Sequence, residues 1–254
     1  MTAAGELRRR LGAGATLRST FVKLPGLEII DLLAAVGLDA LIIDLEHSQL
    51  DESEARRQIR HAAALGFPAL VRLPSPERGQ INRLLEAGAA GVQLSGVTRR
   101  SEVEELLDAC RYPPAGSRSV SLAQPAAAYG ARGLTAHLAG SAPLVVVQIE
   151  TARTDDPLTK VISGVDVAFA GLTDLSVDLG VPGNLDAPAV LARIDELASA
   201  RAALEEPDRP ILGGWIPTFA AAGPLEQRGA TYLTAGSDLA ILGAALQAQF
   251  GAPA

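Results

Sequence analysis

The amino-acid sequence predicts an α/β protein folded as a (β/α)8 TIM barrel. Eight short apolar runs that suit β-strands alternate with longer segments that carry apolar residues at helical spacing. Two of these runs, at residues 41–43 and 145–147, are apolar throughout, which is typical of parallel strands covered on both faces. A length of 254 residues accommodates eight β/α units. A doubly wound open sheet is the alternative, but Leu-Pro-Gly at residues 24–26 replaces the GxGxxG turn of that fold.

The pattern locates each element in turn. The predicted strands cover residues 19–23, 39–44, 67–73, 90–94, 144–149, 165–170, 211–215 and 231–235. The clearest predicted helices cover residues 27–36, 52–65, 79–87 and 101–110. Residues 111–133 interrupt the alternation, and a loop of this length in a compact domain is typical of a lid or a binding loop. Because no repeat or linker divides the chain, we predict one domain over residues 1–254, with a core at about residues 20–250.

Composition and charge exclude several classes of protein. Hydrophobic residues make up 48% of the chain, which is enough to fill a core and argues against disorder. The net charge of -7 argues against a nucleic-acid partner, since such binding relies on a clustered basic surface. Cys110 is the single cysteine, which excludes an internal disulfide and a cysteine-based zinc cluster. The sequence shows no signal peptide and no run of about 20 apolar residues, so we expect a cytoplasmic protein with no membrane partner.

Polar residues follow four of the predicted strands directly. In a (β/α)8 barrel the catalytic groups lie at the carboxyl ends of the strands, so these residues could converge on one mouth. Singly, each has a structural explanation, such as a helix cap or a solvated acid. Their occurrence at four strand ends predicts a shared site. These residues are Asp44, Glu46, His47, Arg72, Gln148, Glu150, Thr173 and Asp174.

The side chains in this set differ in what they can do chemically. Glu150 and Asp174 offer hard oxygen ligands that suit Mg²⁺ or Mn²⁺. Arg72 offers a planar fork for a carboxylate or a developing enolate. His47 is the strand-end group that exchanges protons near neutral pH without a large pKa shift. The remaining histidines and Cys110 lie away from strand ends, and we interpret them as structural.

Taken in order, these residues form a recognisable series of motifs. The series is Asp44-x-Glu46-His47, Arg72, Arg111-Tyr112-Pro113-Pro114-x-Gly116-x-Arg118, Gln148-x-Glu150-Thr151 and Gly171-x-x-Asp174-Leu175-Ser176. It resembles the HpcH/HpaI aldolase family, the class II pyruvate aldolases that include hydroxyketoacid and keto-deoxy sugar-acid aldolases. The resemblance extends over nearly the whole chain.

The resemblance implies a fold, an assembly and a metal centre. It implies a (β/α)8 barrel whose C-terminal helix is swapped within a dimer, and a homohexamer built as a trimer of dimers. Glu150 and Asp174 would hold a divalent metal, Mg²⁺ or Mn²⁺ and in some cases Co²⁺, which pyruvate chelates through its carboxylate and keto oxygens. Asp44 and Glu46 would act on water molecules bound to that metal.

The resemblance also implies roles around the bound keto acid. Gln148 would lie beside it, and backbone N–H groups around Thr173 and Asp174 would receive its carboxylate. Arg72 would stabilise the enolate oxygen, and His47 would belong to the acid/base apparatus. Glu86 stands where the family has the helix aspartate that partners this histidine.

The sequence also departs from the family pattern, mostly on the side of the aldehyde acceptor. Ser95 and Gly96 replace a proline-containing turn, and Leu172 replaces the proline of a Gly-Pro-x-Asp motif. Lys23 ends the first predicted strand, where the family carries small residues after an aromatic one. We therefore treat Lys23 and Arg118 as candidate contacts of the acceptor.

The implied activity is that of a carbon–carbon lyase. Such an enzyme cleaves 4-hydroxy-2-oxo acids into pyruvate and an aldehyde, or joins pyruvate to an aldehyde or another electrophile, through a metal-bound pyruvate enolate. Alternatives on the same scaffold are an oxaloacetate-type decarboxylase and a specialised biosynthetic enzyme that forms carbon–carbon bonds. Two further alternatives are a Schiff-base mechanism at Lys23 and a non-catalytic barrel that binds a keto acid.

Overall fold

The eight strands close into a parallel barrel in the computed structural model, which describes residues 2–140 and 142–251. Residues 1, 141 and 252–254 of the predicted domain lie outside the described residues. Each strand pairs with the next in the chain, and β8 pairs with β1, which confirms the predicted (β/α)8 barrel. The strands are β1 (Leu17–Val22), β2 (Ala40–Asp44), β3 (Ala69–Leu73), β4 (Gly91–Leu94), β5 (Leu144–Ile149), β6 (Val167–Ala170), β7 (Ile211–Ile216) and β8 (Tyr232–Ser237).

Helices cover the outside of the barrel. They are α1 (Ala3–Gly12), α2 (Glu28–Val36), α3 (Glu52–Ala64), α4 (Arg78–Ala87), α5 (Arg100–Cys110), α6 (Leu134–Gly140), α7 (Leu158–Val161), α8 (Leu172–Asp178), α9 (Pro188–Ala202), α10 (Gly223–Glu226) and α11 (Asp238–Phe250). Asp51 and Glu54 form a capping box at the start of α3, where the sequence places acidic residues. None of the described helices is long and apolar enough to cross a membrane.

The alternation of side chains along the strands creates two apolar layers. Ile42, Leu70 and Val146 belong to the cluster inside the barrel, whereas their neighbours Ile43 and Val71 pack in the layer beneath the helices. Each strand therefore reads as apolar on both faces, as expected for a covered parallel sheet. A polar residue two positions after an interior residue points to the same side of the strand. Asp44 and Arg72 are such residues, and they point into the mouth of the barrel.

Helix α1 precedes the first strand and was not predicted. Leu7 and Leu11 are buried, in keeping with their i, i+4 spacing, and the hydroxyl of Thr2 accepts a hydrogen bond from the N–H of Gly5 as an N-cap. Arg8 donates to Asp166 at 2.7 Å, just before β6 begins. This ion pair and the buried leucines hold α1 at the amino-terminal end of the barrel.

The long segment after α5 lies along the outside of the barrel in this chain. It contains a 3-10 helix, Pro125–Gly130, and then α6. Arg78 of α4 donates to the carbonyl of Ser117, and Asn82 of α4 donates to the hydroxyl of Ser119 at 3.3 Å. The segment joins the end of α5 to the start of β5 along this face, so within one chain it does not form the lid that its length suggested.

Candidate active site

A pocket of about 240 Å³ opens at the carboxyl ends of the strands. The sequence-predicted residues among those that line it are Lys23, His47, Arg72, Gln148, Thr173 and Asp174. The aromatic side chains of Phe21, Phe169 and Trp215 also line it. Most of the predicted residues therefore meet in one place, although they come from distant parts of the chain.

Arg72 is held rigidly by a buried aspartate. The strand register pairs Asp44 with Arg72, and the guanidinium donates from Nε to Oδ1 at 2.9 Å and from Nη2 to Oδ2 at 2.6 Å. The guanidinium carbon lies 4.2 Å from the centre of the Phe21 ring. Burial alone would raise the pKa of Asp44, but the hydrogen bonds and charge of Arg72 outweigh it and lower this pKa to about 2. The pair is therefore charged, and the arginine is fixed in position at neutral pH.

Glu46, His47 and Lys23 surround this pair. Oε2 of Glu46 is buried without a hydrogen-bond partner among the described residues, although it lies 3.3 Å from Nη1 of Arg72 and 3.8 Å from Nε2 of His47. Nζ of Lys23 lies 3.2 Å from Oδ2 of Asp44 and donates to the carbonyl of His47 at 3.2 Å. These contacts engage the Nζ atom that a Schiff base would need, so the geometry does not favour a Schiff base at Lys23.

A chain of amides leads to Glu150 on the other side of the pocket. Nε2 of Gln93 donates to Oε1 of Gln148 at 2.5 Å, and Nε2 of Gln148 donates to Oε2 of Glu150. Burial raises the pKa of Glu150 to about 7, and the negative charges of Asp174 and Glu46 add to this rise despite the bond from Gln148. Gln93 was not predicted; its signal is a fully buried amide inside an apolar strand.

The donors at this end of the pocket fit a hard divalent cation. Glu150 and Asp174 provide carboxylate oxygens. Burial and neighbouring carboxylates raise the pKa of Glu150, and no cationic side chain of the described residues forms an ion pair with it. Within residues 2–140 and 142–251, no group of three or more His, Cys, Asp or Glu side chains is arranged to hold a metal ion. Two carboxylates with water and ligand oxygens completing the sphere are typical of Mg²⁺ sites.

Two glycines lie beside Glu150, and one of them, Gly171, leaves space that a side chain would fill. Gly96 adopts φ of +62°, and a Cβ at this residue would lie 3.6 Å from Oε1 of Glu150. A Cβ at Gly171 would lie 2.7 Å from Oε2 of Glu150 and 2.9 Å from Nε2 of Gln148. Gly171 is also the residue before α8, so Thr173 and Asp174 lie in the first turn of that helix, where backbone N–H groups are free to meet an anion.

Within one chain, the structure does not bring Glu86 and Arg118 to this pocket. Glu86 lies in the last turn of α4, where its carboxylate accepts a hydrogen bond from Asn82 at 3.3 Å. Because a barrel helix runs antiparallel to its strands, that turn is at the end of the barrel opposite His47. Arg118 donates to Asn82 of the same helix at 3.1 Å. Among the described residues of one chain, Glu46 provides the carboxylate that lies within ion-pair distance of His47.

Comparison with known proteins places this geometry in a family. The family model described as HpcH/HpaI aldolase/citrate lyase matches residues 19–243. The chain is 33% identical over 204 residues to a hydroxypyruvate/pyruvate aldolase of Paraburkholderia phytofirmans. The matched region covers 76% of this chain and 78% of that protein. It is 35% identical over 228 residues to a 4-hydroxy-2-oxo-heptane-1,7-dioate aldolase of Salmonella typhimurium, which covers 87% and 85% of the two chains.

The fold of the chain also matches a solved structure. The crystal structure of an HpcH/HpaI aldolase/citrate lyase family protein from Burkholderia cenocepacia matches with a TM-score of 0.84 and 28% sequence identity. The match covers 96% of this chain and 97% of that one. The resemblance seen in the ordered motifs is thereby confirmed. The chain is a carbon–carbon lyase and belongs to the HpcH/HpaI aldolase/citrate lyase family.

Proposed function

We propose that this lyase is a divalent-metal-dependent aldolase that cleaves and forms 4-hydroxy-2-oxo acids, with pyruvate as the keto acid. One observation carries the proposal. A single pocket is lined by a guanidinium that Asp44 fixes and by Gln148, whose amide donates to the adjoining, largely buried carboxylate of Glu150. A keto acid that develops negative charge on its oxygen needs such a cation, and a hard metal needs such a carboxylate.

Glu150 and Asp174 are the residues that would hold the metal, Mg²⁺ or Mn²⁺. Bound there, the cation would supply a Lewis acid that polarises the keto group. Gln148 orients the Glu150 carboxylate through its amide N–H and is itself oriented by Gln93. Oε2 of Glu46 is buried without a hydrogen bond, which leaves it available to a water molecule in the pocket.

In the cleavage step, His47 transfers a proton and Arg72 stabilises the negative charge that develops on the keto oxygen. His47 takes the proton of the C4 hydroxyl, the C3–C4 bond breaks, and its electron pair moves into the enolate of pyruvate as the aldehyde leaves. Arg72 donates a hydrogen bond to the enolate oxygen, and a proton added at C3 completes pyruvate. The His47 side chain is 56% exposed, so its proton exchanges with solvent between turnovers.

A cleavage assay tests this function. The substrate is 4-hydroxy-2-oxopentanoate, and the readout is pyruvate formed in the presence of Mg²⁺ or Mn²⁺. We expect pyruvate and acetaldehyde in equal amounts and complete loss of activity in EDTA. If neither this acid nor its seven-carbon dicarboxylate relative is cleaved with either metal, the aldolase proposal is wrong.

Replacing Gly171 with alanine should damage the metal site although neither proposed metal ligand is itself replaced. The new methyl group would contact both Glu150 and Gln148 at less than van der Waals distance, so one of them must move. We expect Mn²⁺ affinity and kcat/KM each to fall by about 10- to 100-fold, the effect typical of disturbing groups that orient metal ligands. Isothermal titration calorimetry and the cleavage assay measure the two quantities.

Gly223→Ala is the matched control, since a Cβ there meets nothing within 4 Å. It should leave both the Mn²⁺ affinity and kcat/KM unchanged. Wild-type Mn²⁺ affinity in the Gly171→Ala variant would count against Glu150 as a ligand.

We also propose that α11 packs against a second copy of the chain, as a swapped C-terminal helix would. Asp238 is the buried residue of this helix, and its apolar side chains face outward. The exposed ones are Leu239, Ile241, Leu242, Leu246 and Phe250. Such a patch on a helix at the end of the described chain suits an interface between subunits.

A charge-introducing pair of substitutions tests this interface. Leu242→Glu combined with Leu246→Glu should convert the oligomer to monomer, because two carboxylates would be buried without partners. Light scattering coupled to gel filtration measures the mass. The matched control is Leu65→Glu, since Leu65 is exposed on the barrel surface away from α11. An unchanged oligomer mass in the double variant would place the interface elsewhere.

A further inference from the structure

A second, larger pocket lies at the amino-terminal end of the barrel, away from the site described above. Its volume is about 680 Å³, within the range of ~300–1,000 Å³ typical of small-molecule sites. It is bounded by α1, by the last turns of α3 and α4, and by the segment that contains the 3-10 helix and α6. Three arginines line it, Arg60, Arg118 and Arg132. Its one lining carboxylate among the described residues, Glu6, is paired with Arg9 at 2.5 Å.

Arg118 is the buried cation of this pocket. It is only 4% exposed, its Nε donates to Asn82 at 3.1 Å, and its guanidinium carbon lies 4.7 Å from the centre of the Tyr112 ring. No described residue accepts a hydrogen bond from either of its Nη atoms, and none offers it a carboxylate oxygen within ion-pair distance. Glu86 acts on Arg118 only through longer-range electrostatics.

The other buried arginines of the described chain are neutralised. Arg72 lies 2.6 Å from Asp44, and Arg193 lies 2.6 Å from Glu196. The Nη atoms of Arg118 are not among the enclosed, unbonded polar atoms of the described residues, so an anion in the pocket can reach them and form charge-assisted hydrogen bonds. The planar fork of the guanidinium matches a carboxylate in particular.

The other side chains that line the pocket indicate the chemical character of the rest of the ligand. Ile59, Phe67 and Leu85 provide an apolar wall, and Tyr129, whose side chain is exposed, provides an aromatic ring. We propose that this basal pocket binds a small organic acid, with its carboxylate on Arg118 and its apolar body against this wall. Arg60 and Arg132 are exposed at the rim and would draw the anion in.

Benzoate is the probe, with benzamide as its neutral analogue. Isothermal titration calorimetry of the full chain in EDTA should show saturable benzoate binding, with benzamide at least about tenfold weaker, a difference of ~1.4 kcal/mol. Arg118→Met should weaken benzoate binding by about tenfold or more. A crystal soaked in 4-bromobenzoate should show anomalous bromine density in the basal pocket.

Several results would overturn the proposal. These are equal binding of benzoate and benzamide, no benzoate binding at millimolar concentrations, or bromine density only at the carboxyl ends of the strands. Inorganic phosphate binding without benzoate binding would also contradict an organic acid. If Arg118→Met fails to fold, the exposed pair Arg60→Gln and Arg132→Gln decides. Benzoate affinity should fall several-fold in that double variant, and unchanged affinity would count against the site.

Discussion

Arg72→Met should lower kcat/KM for cleavage by about 10²- to 10³-fold, the usual effect of removing one group that stabilises a developing oxyanion. It should also lower the free energy of unfolding, but by less than the ~3–5 kcal/mol of an unpaired buried charge, because Lys23 and two backbone N–H groups still contact Asp44. Asp44 is fully buried, and Arg72 occupies both of its carboxylate oxygens. The cleavage assay and urea unfolding measure the two effects.

Two other variants separate these effects. Arg72→Lys keeps a positive charge beside Asp44 and should recover most of the stability, but it loses the two-pronged hydrogen bond and should remain slow. Arg83→Met removes an exposed arginine that pairs with Glu52 on the surface, and it should leave kcat/KM unchanged. If Arg72→Met retained wild-type kcat/KM, Arg72 would have no part in the chemistry.

Glu150→Gln should abolish metal-dependent activity, with a fall in kcat/KM of about 10³-fold or more, corresponding to the several kcal/mol that a Lewis acid contributes. An amide is a much weaker ligand for Mg²⁺ than a carboxylate. The exposed Glu104→Gln is the matched control and should behave as wild type. Activity close to wild type in the Glu150→Gln protein would exclude Glu150 as a metal ligand.

The same variant should be more stable than wild type in the absence of metal at alkaline pH. The pKa of Glu150 is raised from 4.5 to about 7, so the folded state holds this proton more tightly than the unfolded state. Stability is therefore lost as the pH rises from 4.5 through 7, by up to about 3 kcal/mol at 1.36 kcal/mol per pKa unit. The glutamine carries no charge and avoids this loss.

Urea unfolding in EDTA at pH 5 and pH 8 measures the difference between the two proteins. The glutamine variant should be clearly more stable at pH 8 and nearly equal to wild type at pH 5. A constant difference across this range would mean that the Glu150 carboxylate is not the source of the pH dependence.

The barrel and most of its mouth could be predicted because the signals are local. Each of Asp44, Arg72, Gln148 and Glu150 lies within one residue of the end of an apolar strand, and parallel strands bring such residues to one edge. Gln93 lies one residue before the end of β4, as Arg72 does in β3, but it was missed because its amide acts only through Gln148. No motif marks a residue whose role is to orient another side chain.

Glu86 and Arg118 lie, within one chain, away from the pocket to which the family pattern assigns them. Their positions in the sequence fit the family pattern, but that pattern does not say at which end of the barrel a helix residue lies. Glu86 comes five residues before β4 begins, which already places it at the amino-terminal end of the strands. The direction of α4, rather than the motif, indicates at which end of the barrel Glu86 lies.

Exchange of the C3 protons of pyruvate for deuterium tests the central claim most directly. The measurement is proton NMR of pyruvate in D2O with the enzyme, and it requires no aldehyde. We predict rapid exchange with Mg²⁺ or Mn²⁺, and none in EDTA or with the Glu150→Gln protein. Absence of exchange in the presence of either metal, or exchange that persists unchanged in EDTA, would contradict a metal-dependent aldolase that acts through the pyruvate enolate.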